Sequence, residues 1–231
     1  MLVGHTQLQH LELHRCKSPD GATGVAQLLA HLQPLQQLTH LGMVASLGTG
    51  EGDGGSPPAA AYAALTASIN LRSLDLRWCT LPPGVWQHVF PAGRQLQHLQ
   101  VLDIGNVRQA GPSDYGPAPA GTLLVSCCPA LRSLYMPYLT LSGAEVLGPL
   151  QGLSGLHALR LATVSTPCAQ GLQSVGQLTG LRDLRIGCNE DMKESILRRL
   201  TLLQQLTNLS VGRLNTKFVN LTCKVRFVAK I

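Results

Sequence analysis

The chain has 231 residues, is 45% hydrophobic but only 4% aromatic and 13% charged, and carries a formal net charge of +6. That balance excludes a disordered polypeptide, which needs low hydrophobicity and high charge, and makes leucine the core-forming residue. The excess charge is confined to residues 182–231, with ten Lys/Arg against four Asp/Glu, while residues 1–181 hold eight of each. These basic residues are scattered, so they read as a solvated end ahead of a nucleic-acid or anionic-lipid face.

Along the chain an apolar triplet, Leu-x-x-Leu-x-Leu or a close variant, starts at Leu8, Leu38, Leu71, Leu99, Leu131, Leu156, Leu181 and Leu206, the last three intervals being 25 residues each. A recurring period of that length marks one structural unit per copy, stacked to bury a face that no unit buries alone. After the first triplet, Val25, Leu28, Leu29, Leu32 and Leu35 fall on a helical stripe. After the second, a Gly-rich insertion at about 48–58 intervenes, and a second insertion at about 109–121 follows the fourth triplet. Both fall between a strand and its convex segment, so both are expected at the same edge and with loop composition.

Helical stripes recur at Val146–Leu153 and Leu172–Leu178, punctuated by Pro149, Gly152 and Gly176, which predicts short or irregular helices. The seventh unit shows the whole pattern. Leu184 and Ile186 point inward and Asp183 and Arg185 outward, a turn follows, and Ile196, Leu197, Leu200 and Leu203 make a helical stripe. After Leu214 the spacing changes to a simple alternation from Val219 to Ile231, a strand signature. The domain reading is therefore a repeat domain over 1–214 and a non-repeat strand or tail over 215–231.

On these eight in-phase triplets the chain resembles the leucine-rich-repeat proteins over about residues 6 to 214. The resemblance implies an α/β solenoid, with an eight-stranded parallel sheet on the concave face and short helices on the convex face. The family's polar ladder position falls at Cys16, Cys79 and Asn189, whereas Ser46, Val107, Leu139, Val164 and Leu214 occupy it elsewhere, implying an incomplete ladder. The segment Cys128-Pro129-Ala130-Leu131 resembles the cysteine-containing F-box receptor subtype. The Gly/Ala/Gln-rich spacers resemble repeat proteins of green algae, some of them ciliary. Those likenesses imply two further roles, a ubiquitin-ligase substrate receptor and an axonemal or cytoskeletal structural protein.

Catalytic and metal motifs are not expected. Gly50, Gly52 and Gly55 match G-x-G-x-x-G, but Glu51 and Asp53 would repel a phosphate. His10 and His14 are four strand residues apart, roughly 13 Å, too far to share a metal. The seven cysteines form no C-x-x-C pair, so neither a disulfide framework nor a zinc site follows. No secretory signal and no apolar run near the ~20 residues of a membrane span is present, so an intracellular, cytoplasmic chain without cofactor, metal or small-molecule substrate is expected.

The remaining candidate is the row of outward strand residues Glu12, Gly42, Asp75, Asp103, Tyr135, Arg160, Arg185 and Ser210, which runs acidic, aromatic, basic, polar. Arg77, Trp78, Tyr138 and Asp183 flank it. Aromatics with charged neighbours dominate interface energetics, and a dipolar groove orients a partner. The expectation is a non-enzymatic scaffold that binds a protein on this face.

Overall fold

The leucine triplets pair strand to strand in register. In the computed structural model the described residues are 5–16, 20–48, 56–109, 119–136, 147–161, 172–187, 200, 203–212 and 224–225. Among them, eight strands form one parallel sheet in chain order: β1 (His10–Glu12), β2 (His40–Gly42), β3 (Ser73–Asp75), β5 (Val101–Asp103), β7 (Ser133–Met136), β8 (Ala158–Leu161), β9 (Asp183–Gly187) and β10 (Asn208–Gly212). The central leucines Leu11, Leu41, Leu74, Leu102, Leu134, Leu159, Leu184 and Leu209 are mutual register partners. Leu74, Leu102, Leu134, Leu159 and Leu184 are each 0% exposed. A one-residue slip would turn this whole file outward, so the hydrophobic pattern itself specifies the register.

A second apolar file, Met43, Leu76, Ile104, Met136, Leu161, Ile186 and Val211, lies two residues further along each strand and is also buried. Opposite the sheet lie α1 (Gly21–Leu32), a 3-10 helix (Ala59–Thr66), α2 (Trp86–Val89), α3 (Gly121–Cys127), a second 3-10 segment (Gly148–Gly152) and α4 (Leu172–Val175). α1 buries Val25, Leu29 and Leu32, three residues of its expected stripe, and packs on the 3-10 helix. Pro149 and Gly152 hold their segment to a single 3-10 stretch, as the punctuation predicts. Helices need about 8–10 Å of lateral room and strands about 4.8 Å, so stacking the two layers bends the array toward its strand side.

Each of the first four strands ends in the same turn. Backbone pairing continues past the strand, with Ala45 N–H on Arg77 O at 2.8 Å and Trp78 N–H on Gly105 O at 3.1 Å. The residue at that point is left-handed in all four: Arg15, Ala45, Trp78 and Asn106, with φ between 52° and 63°. None is glycine; Arg15, Ala45 and Trp78 each carry strain of about 1–2 kcal/mol that the flanking hydrogen bonds must offset, and Asn106, whose type tolerates this region, carries less. At three of the four the next residue, Ser46, Cys79 or Val107, turns into the stack. A two-stranded parallel ladder, β4 (Thr80–Leu81) with β6 (Arg108–Gln109), follows these turns on the same edge. So short a pairing has no periodic signal, and it places the stems of both insertions on one ridge, Thr80 N–H reaching Leu47 O at 2.6 Å.

The ladder position differs from expectation in two places. Cys16 is exposed rather than inward, and its thiol contacts the backbone just past its own strand at His14 O, 3.6 Å. Ser46 does perform the ladder's work. Buried at 4% exposure, its hydroxyl lies 2.9 Å from Leu13 O and 3.0 Å from Val44 O, and accepts the Cys16 N–H at 3.1 Å. Cys79 matches its expected role, donating to Met43 O across the stack at 2.8 Å. Asn189, Leu139, Val164 and Leu214 lie outside the described residues, as do the glycine motif at 50–55 and Tyr138. Of the C-terminal alternation, Lys224–Val225 is described, and it adds to β10 as an antiparallel strand, β11, with Val225 opposite Leu209.

Candidate functional site

Period-two geometry turns every residue between the two buried files to the open face of the sheet. Strand register then makes a single file of Glu12, Gly42, Asp75, Asp103, Tyr135, Arg160, Arg185 and Ser210, each the partner of the next. The eight outward residues chosen from spacing are thus nearest neighbours in space, about 4.8 Å apart along the file.

The acidic step is clasped from within. Arg77, two residues past Asp75, folds back so that its guanidinium reaches Asp75 Oδ2 at 2.6 Å and Asp103 Oδ2 at 3.3 Å. Asp103 also accepts the Gly105 N–H at 3.0 Å. Even so, burial pushes the Asp103 carboxyl up to about 6, and the neighbouring Asp75 adds to the rise, against the pull of Gly105, Arg77 and Arg160. The bond to Asp75 in turn raises the pKa of Arg77 above its ordinary value. Spacing put Arg77 beside the row; its bridge from Asp75 to Asp103 needed the geometry of the turn.

The basic step is built differently. The Arg160 guanidinium carbon lies 4.5 Å from the Tyr135 ring centroid, a cation–π stack. Its Nε is buried and has no hydrogen-bond partner among the described residues. Arg185 turns its Nε to Asp183 Oδ1 at 3.3 Å. Asp183, the acidic exception in the sequence gradient, is therefore a local counter-ion to Arg185.

Two flanking features complete the face. At the first edge His10 and His40 are register partners whose rings stack at 4.2 Å, 10° from parallel. Burial and the neighbouring His10 and Arg72 lower the pKa of His40, while Glu12 opposes them. His14 contacts Glu12 at 3.3 Å, so His10 and His14 go to different partners. At the strand ends Trp78, 52% exposed, projects from its left-handed turn.

Among the described residues no three His, Cys, Asp or Glu side chains gather as a metal would require. No helix among them is long and apolar enough to cross a membrane. Cys16, Cys79, Cys127 and Cys128 are free thiols. Burial holds the Cys79 thiol up at about 11 and Cys128 at about 12, so neither offers a thiolate at neutral pH.

A parallel sheet of registered leucine triplets, backed by short helices, decides the architecture. The chain has the leucine-rich-repeat fold. No protein-family model matches the chain. It is 30% identical over 143 residues to the tubulin-specific chaperone E of Bos taurus, a match that covers 62% of this chain and 25% of that protein. Among solved structures, an internalin from Listeria monocytogenes aligns with a TM-score of 0.49 at 14% identity, covering 95% of this chain and 63% of that one. A leucine-rich-repeat protein from Leptospira interrogans aligns with a TM-score of 0.38 at 15% identity, over 87% and 60% of the two chains.

Proposed function

We propose that this leucine-rich-repeat solenoid is a non-enzymatic scaffold that seats a protein segment along its concave file. The observation that carries the reading is the polarity of that file: Asp75 and Asp103 on adjacent strands, then Tyr135, then Arg160 and Arg185 on adjacent strands. Such a surface orients a partner by charge and anchors it on rigid aromatic groups, with Trp78 at the rim and Tyr135 at the centre. The free thiols support a reducing, intracellular setting.

The test reverses the polarity in place. Asp75→Lys, Asp103→Lys, Arg160→Glu and Arg185→Glu combined should abolish partner capture from native extract while the far-UV circular dichroism stays that of the parent. Capture at the parental level by the folded variant refutes the reading.

A narrower version makes the partner a tubulin or another cytoskeletal protein, and the likeness to the tubulin-specific chaperone favours it. Purified tubulin should then be retained by the immobilised chain, and retention should fall with the four-residue reversal. Absence of retention removes this narrower version only. The relatives above lend no support to the F-box and ciliary roles.

A further inference from the structure

Charge repulsion is handled in opposite ways on the two halves of the concave file. Register places Asp75 beside Asp103 and Arg160 beside Arg185, two like-charged pairs on neighbouring strands. Like charges in that position are destabilising unless a counter-charge bridges them. The acidic pair has its bridge inside the chain, Arg77, in contact with both carboxylates. For the basic pair, Asp183 meets Arg185 at 3.3 Å, while Arg160 has the Tyr135 ring face and a buried Nε–H without an acceptor among the described residues. Within the described part of residues 131–187, Arg132, Arg160, Arg182 and Arg185 stand against Asp183.

We infer that Arg160 and Arg185, with Tyr135 as the floor, form a carboxylate seat for an acidic side chain of an extended peptide laid across the strands. This rests on the scaffold reading above and names the chemistry of the occupant. A guanidinium held flat on an aromatic ring presents its fork in a fixed plane, the arrangement that matches a carboxylate with least loss of side-chain freedom. A carboxylate at the outer edge of the guanidinium would separate the two cations, the part Arg77 plays in reverse for the two aspartates, and would shift the electronic environment of the buried Nε–H beside it.

The rest of the file fixes the kind of ligand. Glu12, Asp75 and Asp103 set three carboxylates against the single guanidinium of Arg77, and that surplus calls for a positive group on the same occupant, which a free phosphate lacks and a polypeptide supplies. From the Asp75–Asp103 step to the Arg160–Arg185 step is three strand intervals, roughly 14 Å at 4.8 Å each. An extended peptide rises about 3.4 Å per residue, so the acidic and basic residues of the occupant stand about four positions apart.

The probe is the peptide acetyl-Glu-Thr-Ser-Thr-Lys-amide, titrated into the full chain labelled with nitrogen-15. The Arg160 and Arg185 Nε–H resonances and the backbone amides of the file are followed together. Saturable movement of the Arg160 Nε–H at millimolar peptide is expected, weakened roughly tenfold or more when the peptide's Glu is replaced by Gln, since one charge-assisted bond is lost. Arg160→Lys keeps the charge and the fold but removes the fork, and it should weaken binding similarly. The seat is overturned by equal affinity for the Gln peptide, by an unmoved Arg160 Nε–H at saturating peptide, by no saturable movement, or by inorganic phosphate moving the resonance as strongly as the peptide. If file amides move saturably while the Arg160 Nε–H stays still, the seat fails and the scaffold reading stands. If the four-residue reversal leaves partner capture intact, the scaffold reading fails on its own test.

Discussion

Asp103 is pulled two ways, buried beside another carboxylate yet held by Gly105 and Arg77, and the balance leaves its carboxyl at about 6 against an ordinary 3.8. A carboxyl whose folded value lies above its unfolded value contributes stability that is fully present below about 4 and is lost as pH rises through about 6. Asp103→Asn should remove that dependence, so the parent-minus-variant difference in urea stability should slope across pH 4–6, by on the order of 2 kcal/mol. A flat difference would show that the carboxyl titrates normally. The left-handed residues make a second prediction at this scale. Ala→Gly in a strand or helix costs roughly 0.5–1 kcal/mol, but Ala45 stands at φ 52°, where relief of about 1–2 kcal/mol of side-chain strain offsets that cost. Ala45→Gly should leave the melting temperature unchanged or raised, while the control Ala158→Gly, in β8, lowers it.

Turns rather than strands carry what is least repetitive in the elements. Ser46 joins two successive units through Leu13 O and Cys16 N–H, so Ser46→Ala leaves a part-buried donor and acceptor short of a partner. A cost of about 1–3 kcal/mol in chemical denaturation is expected, along with faster hydrogen exchange at the Cys16 amide; unchanged exchange there would refute the staple. The strands themselves were legible because each triplet sets register and face together, and that is why the file from Glu12 to Ser210 came out whole. Ser46 was not, since a small hydroxyl at a ladder position looks like a gap until the neighbouring turn is in place. The 3-10 helix Ala59–Thr66 was equally hidden, its alanines offering no period to read. Within the site, Tyr135 beside Arg160 followed from spacing. The Arg77 bridge to Asp103 and the Asp183 contact to Arg185 depend on side chains crossing between files, which a strand pattern does not encode.

At the scale of the molecule, stability is a sum over units and their shared interfaces, and the function proposed here needs both halves of the file on one body. Leu134 tests this because it sits between Leu102 and Leu159 at 0% exposure and beneath the change from acid to base. Leu134→Ala opens a cavity in two interfaces at once and should cost about 2–5 kcal/mol. Leu11, on the edge strand and only partly buried, has one neighbour in register, Leu41, so Leu11→Ala should cost less than about 1.5 kcal/mol. Hydrogen exchange separates the two further. The central variant should lose protection in β5, β7 and β8 together, whereas the edge variant should fray β1 and leave the rest as in the parent. Because the aspartate pair lies on one side of Leu134 and the arginine pair on the other, the central variant should also weaken any ligand that spans both. A ligand held by one pair alone would bind both variants alike. Equal losses of protection from the two substitutions would mean that the leucines do not share a continuous core, and the face they support would then have no fixed polarity to offer a partner.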